Sequence, residues 1–208
     1  SPRTHRPNGQ SLLRRVLIPH FVNEEGIIDM KYSWNAKTPM TSPDMVAKPI
    51  KWNPMSEDWK KRVEAMQLYN EDATAPWLTN EMKKTLRALR DRILTFGGDE
   101  VLLNTRDEDA EKVLERGQFF YGSKYMKKGE DCRCHQNAAY LWDANRGRCQ
   151  IATGYALSED GLWRQHSWVV QPMTRTVKVW ETTVKRVAYF GVVLNDEECQ
   201  EFFDIVTY

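Results

Sequence analysis

Three residues in the C-terminal half of the chain are of the types and in the order that amide chemistry needs. Cys134 begins a helical pattern, and His166 and Glu181 follow on two β-patterned stretches. A thiol attacks a carbonyl well only as its thiolate. The first turn of a helix favours that anion through unpaired N–H groups and the helix dipole, and a nearby imidazolium lowers the pKa further. A carboxylate beside the histidine fixes its tautomer and stabilises its protonated form. Such a set splits amide cleavage into formation and hydrolysis of an acyl-enzyme. An oxyanion donor is also required; the Cys134 N–H is one candidate, and Asn137, Gln136 or a group from residues 125–130 is the second. His135 points about 100° away around a helix, which reads as solvent-facing or supporting. Cys132 is the alternative nucleophile, or a redox partner of Cys134.

The elements that must position these groups are legible around them. CHQNAAYLWDAN, from Cys134, predicts a short helix with Ala138, Leu141 and Trp142 inward, closed by Gly147. Residues 151–157, 162–170, 176–182 and 187–193 predict four successive antiparallel strands, with Asp160-Gly161 as a hairpin turn. Asn195 reads as the cap of a last helix carrying Phe202 and Phe203. The turn within 171–176 pairs Pro172 with Arg175 and Gln171 with Thr176 if its loop length is even. Continued, this register sets His166 opposite Glu181, Trp168 opposite Val179 and Val170 opposite Val177, all on one face. An odd loop would turn every one of these side chains over.

Upstream, the composition divides the chain. Eight of the nine prolines precede residue 77, and residues 1–55 read as a proline-rich extended arm suited to partner docking. Residues 56–117 read as a helical subdomain of three helices. The first follows Ser56 as cap, with Trp59, Val63, Met66 and Tyr69 on one face. The second follows Thr79, with Met82, Leu86, Leu89 and Ile93 inward, and stops at Gly97-Gly98; the third runs from about Asp107 to Gly117. Residues 118–208 form the remaining core. The expected class is α+β: a helical N-terminal part, then a nucleophile helix packed on an antiparallel sheet of about four strands.

This arrangement resembles the papain-like and transglutaminase-like thiol hydrolases. CRCHQNAAYL, from Cys132, is similar to the C-x-C-x-x-N-x-x-x-L segment of protein N-terminal glutamine amidohydrolases, whose second cysteine is the nucleophile. WRQHSWVV around His166 and VWET around Glu181 resemble that family's histidine and acid strands. The interval from His166 to Glu181 is also similar to that of papain-like deamidase toxins and effectors. The resemblance covers about residues 128–183 and implies a papain-like core and a cofactor-independent hydrolase of protein or peptide amides. It assigns Cys134 as nucleophile, His166 as base and then acid, and Glu181 as the orienting group. Two features depart from it. The acid is Glu where those families carry Asp, and about 130 residues precede the nucleophile, where the amidohydrolases carry it near the start.

Composition sets the outer bounds. The 208 residues carry 30 Lys+Arg against 29 Asp+Glu, which argues against non-specific nucleic-acid binding as the main task. No apolar run approaches the roughly 18 residues of a membrane span. The first ten residues hold no signal-like apolar stretch, and four unevenly placed cysteines read as reduced thiols, so the expected setting is a cytoplasm, native or entered by delivery. Two alternatives belong to other classes. Cys132, Cys134, His135 and Cys149 are four zinc-type ligands, although C-x-C-H is a cramped spacing; and the Trp- and Tyr-rich hairpins suit a non-catalytic interaction module.

Overall fold

Ser56 starts the first helix as its residue type requires, its hydroxyl accepting the Trp59 N–H at 3.3 Å ahead of α1 (Glu57–Met66). The computed structural model describes residues 16–22, 27–33, 50–67, 78–103, 109–121, 124–172 and 176–208. Of the expected apolar face of α1, Val63 is buried, Trp59 and Met66 are exposed, and Tyr69 lies outside the described residues. The reason is that α1 meets a small cluster, Met55, Val63 and Leu162, rather than a broad surface. Thr79 caps α2 (Asn80–Leu94) in the same way, and Leu86, Leu89 and Ile93 are buried as their spacing demands. Gly97 and Gly98, with φ of 118° and 82°, turn the chain away after it. α3 (Ala110–Arg116) ends at Gly117; its expected start near Asp107 falls outside the described residues.

The sheet is larger and more mixed than the expected antiparallel four strands. Those four are present as β6 (Gln150–Leu157), β7 (Leu162–Pro172), β8 (Thr176–Glu181) and β9 (Ala188–Val193). Three short strands join them: β3 (Glu100–Leu102), β4 (Gln118–Tyr121) and β5 (Tyr125–Met126). Pieces of two to four residues carry too little periodicity to be read in advance. A hairpin of β1 (Val16–Val22) and β2 (Ile27–Ser33) comes from the stretch read as an extended arm, and β2 pairs with β8. Pro19 is compatible with this because β1 is an end strand. The order is β1-β2-β8-β7-β6-β9-β4, with β3 parallel to β7 and β5 parallel to β8. β9 thus returns beside β6, not beside its predecessor β8.

The two faces of the sheet have different covers. On one, Ile151, Tyr155, Trp163 and Val169 pack with Leu89 and Ile93 of α2, with Ala138, Ala139 and Trp142 of α4 (Cys134–Asp143), and with Cys199 of α5 (Asp196–Thr207). Asn195 and Glu198 cap α5 reciprocally. On the other, Ala152, Ala156, Trp168, Val170, Val177, Val179, Phe120 and Tyr189 all come from strands, so the curled sheet covers this face with itself. No helix among the described residues is long and apolar enough to cross a membrane.

The β7–β8 register corrects the expected one by two residues. Val170 pairs with Val179 and Pro172 with Val177, so Val170 is not opposite Val177, nor His166 opposite Glu181. A slip of two preserves the face, because side chains alternate with period two. His166 and Glu181 therefore meet diagonally, on the side that was expected. β7 is also long enough to have three kinds of neighbour: β6 runs along one edge, while the other pairs with β3 over residues 162–164 and with β8 over residues 169–172. Residues 165–168, which include His166, lie in the interval between those two partners.

The row holding His166 contains two glycines, since Gly154 pairs with both His166 and Gly191. A Cβ on Gly154 would lie 2.3 Å from the Phe190 carbonyl oxygen, and one on Gly191 2.3 Å from that of Thr153 and 2.6 Å from the Trp168 ring. These glycines let β6 and β9 approach and leave Trp168 its place beside His166. Gly191→Val is expected to lower stability by about 1–3 kcal/mol or more through overpacking, read as a fall in the thermal midpoint. An unchanged midpoint would contradict this close approach.

Candidate active site

Residues 127–133 carry the chain from the edge of β8 to the start of α4. The Lys127 N–H donates to the Glu181 carbonyl and the Gly129 N–H to that of Thr182, each at 2.8 Å. The Asn137 side chain clasps the same loop, accepting the Glu130 N–H at 3.1 Å and donating to the Glu130 carbonyl at 2.7 Å. A Cβ on Gly129 would strike that amide at 2.5 Å. Cys132 then turns at φ 62°, a left-handed conformation unusual for a residue with a side chain, and α4 begins two residues later. No side chain caps this helix. Its first N–H groups are thus left for an anion.

Cys134 is half-buried at that terminus. Burial opposes its thiolate, but hydrogen bonds and charge from His135 and His166 outweigh it, and the pKa is lowered to about 5. His166 is buried; burial disfavours its cation, while Cys134 and Glu181 together hold its pKa above the ordinary value. Its Nε2 lies 2.9 and 3.1 Å from the two Glu181 oxygens, which leaves Nδ1 as the nitrogen for the thiol. Each group thus favours the charged form of the other, the thiolate raising the pKa of the imidazole and the imidazolium lowering that of the thiol.

Glu181 is fully buried and densely bonded. Its Oε1 accepts the Thr182 and Thr183 N–H groups at 2.8 and 2.9 Å and the Thr183 hydroxyl at 3.1 Å; the Tyr189 hydroxyl donates to Oε2 at 2.7 Å. Burial raises its pKa, but the His166 and Thr183 N–H bonds and the Tyr189 hydroxyl bring it down to about 2. Trp168 and Tyr189 flank the His166 ring, with centroids 6.3 and 6.1 Å away.

Cys134, His166 and Glu181 are thus brought together, and the remaining candidates take other places. His135, read as solvent-facing or supporting, is half-buried: its Nδ1 lies 2.7 Å from the Ser167 hydroxyl, which bonds Thr153 at 3.0 Å, and it contacts the Cys134 thiol. Asn137 is engaged with Glu130. Gln136 is half-buried on the first turn, and Cys132 is exposed on the turn before it. The zinc alternative is not assembled. Cys149 is buried with its thiol on the Asn145 carbonyl, and among the described residues no three His, Cys, Asp or Glu side chains group as a metal site requires. Tyr189, Thr183 and Ser167 were not anticipated. Tyr189 reaches Glu181 across the curl of the sheet, Thr183 reaches it from the turn directly after β8, and Ser167 faces Thr153 across the β6–β7 pairing and meets His135 from α4.

All four cysteines are free thiols, and burial pushes Cys149 up to about 11 and Cys199 up to about 12. Alkylation by iodoacetamide, followed by mass mapping, is therefore expected to label Cys134 with a midpoint near 5 and to spare Cys149 and Cys199 at neutral pH. His166→Ala should raise the midpoint and slow labelling at about pH 6 by roughly 10–100-fold. A midpoint that stays put would refute the ion pair.

A depressed carboxyl stabilises the fold above its unfolded pKa, and that contribution is lost as pH falls through the folded one. For Glu181 the window runs from the ordinary 4.5 down to about 2. Glu181→Gln is expected to remove this part of the acid sensitivity in denaturant titrations and to cost about 3–5 kcal/mol near neutral pH, because it leaves His166 without its charged partner. Unchanged acid sensitivity would contradict the assignment.

Comparison with protein-family models, with curated proteins and with solved structures returned no match for this chain.

Proposed function

We propose that the chain is a cysteine hydrolase with a papain-like core, acting on an amide of a protein or peptide without a cofactor. The observation that carries this reading is the continuous hydrogen-bonded line from Cys134 through His166 to Glu181, with the sulfur at an uncapped helix terminus. The Cys134 thiolate attacks the amide carbonyl, and the negative charge that develops on oxygen falls near the first N–H groups of α4, with Gln136 the nearer side-chain donor in sequence. His166, protonated at Nδ1, passes that proton to the departing amine, which leaves as the acyl-enzyme forms. The same nitrogen then takes a proton from water, which attacks the thioester and releases the acid and the Cys134 thiolate, with His166 protonated again. Glu181 keeps the ring in one orientation and stabilises its cation throughout.

Release of ammonia from a Gln or Asn side chain, cleavage of a peptide bond and transfer to an amine all share this acyl-enzyme. They differ only in leaving group and acceptor. A peptide library followed by mass spectrometry separates them: deamidation adds about one dalton, cleavage splits the chain, and transfer to a supplied amine adds that amine's mass less ammonia. Cys134→Ala is expected to abolish turnover, His166→Ala to reduce it by about 10²–10⁴-fold, and Glu181→Gln to reduce kcat by up to about 10⁴-fold. Turnover that survives Cys134→Ala would overturn the proposal.

A further inference from the structure

Lys124, just before β5, is half-buried, donates to the Val187 carbonyl at 3.1 Å and lies 5.4 Å from the centre of the Tyr189 ring. It opens on a cavity of about 460 Å³ whose wall carries Lys51, Lys124, Lys185 and Arg186, beside Tyr121 and one carboxylate, Glu159. Among the described residues, four cations against one anion make this wall positive although the whole chain carries only +1. The volume falls in the range of small-molecule sites. Neither Lys185 nor Arg186 makes an ion pair among the described residues. Arg186 uses one terminal nitrogen on the Ser158 hydroxyl at 2.6 Å, and its buried Nε has no partner there.

We propose that this cavity binds a small polyanion bearing phosphate groups, held by Lys51, Lys124, Lys185 and Arg186. Three ammonium groups and one guanidinium supply many donors in several directions, which suits the oxygens of linked phosphates. A single carboxylate would meet one of these cations and leave the rest uncompensated. Among the described residues, the titratable and charged groups around Lys124 are Glu181 from β8, Tyr189 from β9, and Tyr121, Glu159, Lys51, Lys185 and Arg186 of the wall. Burial brings its pKa down to about 8 although Glu181 opposes this, so a bound anion would stabilise its charged form. The site does not depend on Cys134 being a nucleophile.

Calorimetry on the full chain with sodium tripolyphosphate, pyrophosphate and inorganic phosphate tests this. Saturable one-to-one binding is expected, strongest for tripolyphosphate, with affinity reduced about tenfold or more in Lys185→Ala/Arg186→Ala. Lys124→Met is expected to weaken binding and to remove the fall in affinity between about pH 7 and pH 9.5 that deprotonation of Lys124 brings to the parent protein. Binding that is non-saturable, or that keeps its affinity in both variants, would overturn the proposal. Because the readout is binding rather than turnover, its failure leaves the hydrolase reading untouched, and the converse also holds.

Discussion

A carboxylate at Glu181 with no exposed surface is the constraint on which the rest of the site depends. An ionised carboxylate removed from water is expensive unless every oxygen is answered by donors and an opposite charge lies close. Here two backbone N–H groups, the Thr183 and Tyr189 hydroxyls and the His166 ring answer it. That satisfaction requires β8 to end where it does, the chain to turn at once through Thr182 and Thr183, and Tyr189 to reach across the concave face from β9. Charge then propagates outward: the carboxylate favours a protonated His166, and the imidazolium favours an ionised Cys134. The lowered pKa of Cys134 is in this sense tied, through His166, to the bonds that Glu181 accepts.

β7 shows how the fold admits a helix terminus to such a buried pair. Its outer edge is shared between β3 and β8, and His166 occupies the interval that neither covers. Meanwhile the approach loop is fastened to the end of β8 by two backbone bonds and to α4 by Asn137. Both halves of the site are thus referred to the same strand. Asn137, whose place one turn along from Cys134 suggested an oxyanion donor, acts at this level: its amide holds the loop that delivers the cysteine. His135 likewise does more than its angular position implied, tying the first turn of α4 to Ser167 on β7 and adding a second hydrogen bond toward the sulfur.

Charge is distributed less evenly than its total suggests. A near-neutral chain still gathers Lys51, Lys124, Lys185 and Arg186 about one cavity, because the segments bearing them converge near the turn that follows β8. Lys124 touches both regions, lying over Tyr189 on one side and feeling the Glu181 charge on the other. The tyrosine and the carboxylate therefore link the His166 and Cys134 cluster to the cationic wall.

Local chemistry in the sequence determined a good deal by itself. Ser56, Thr79 and Asn195 cap helices because a short side-chain oxygen next to an apolar period can do little else, and the paired glycines after Leu94 end α2 for an equally local reason. The four β-patterned stretches from residue 151 appear within two residues of their expected bounds, and the face shared by His166 and Glu181 follows from strand periodicity, which survived a two-residue error in register. Tertiary structure decided what no local pattern encodes. It set that register, since an even turn between the two strands can be centred at more than one position and only the assembled sheet pairs Pro172 with Val177. It also placed β9 beside β6, added the short parallel strands β3 and β5, and drew residues 16–22 and 27–33 of the proline-rich stretch into the sheet. The bond from Tyr189 to Glu181 depends on sheet curvature, whereas those from Thr182 and Thr183 come from the adjoining turn. Curvature sums small twists over many strands, so it belongs to the assembled sheet and to no single segment of the chain.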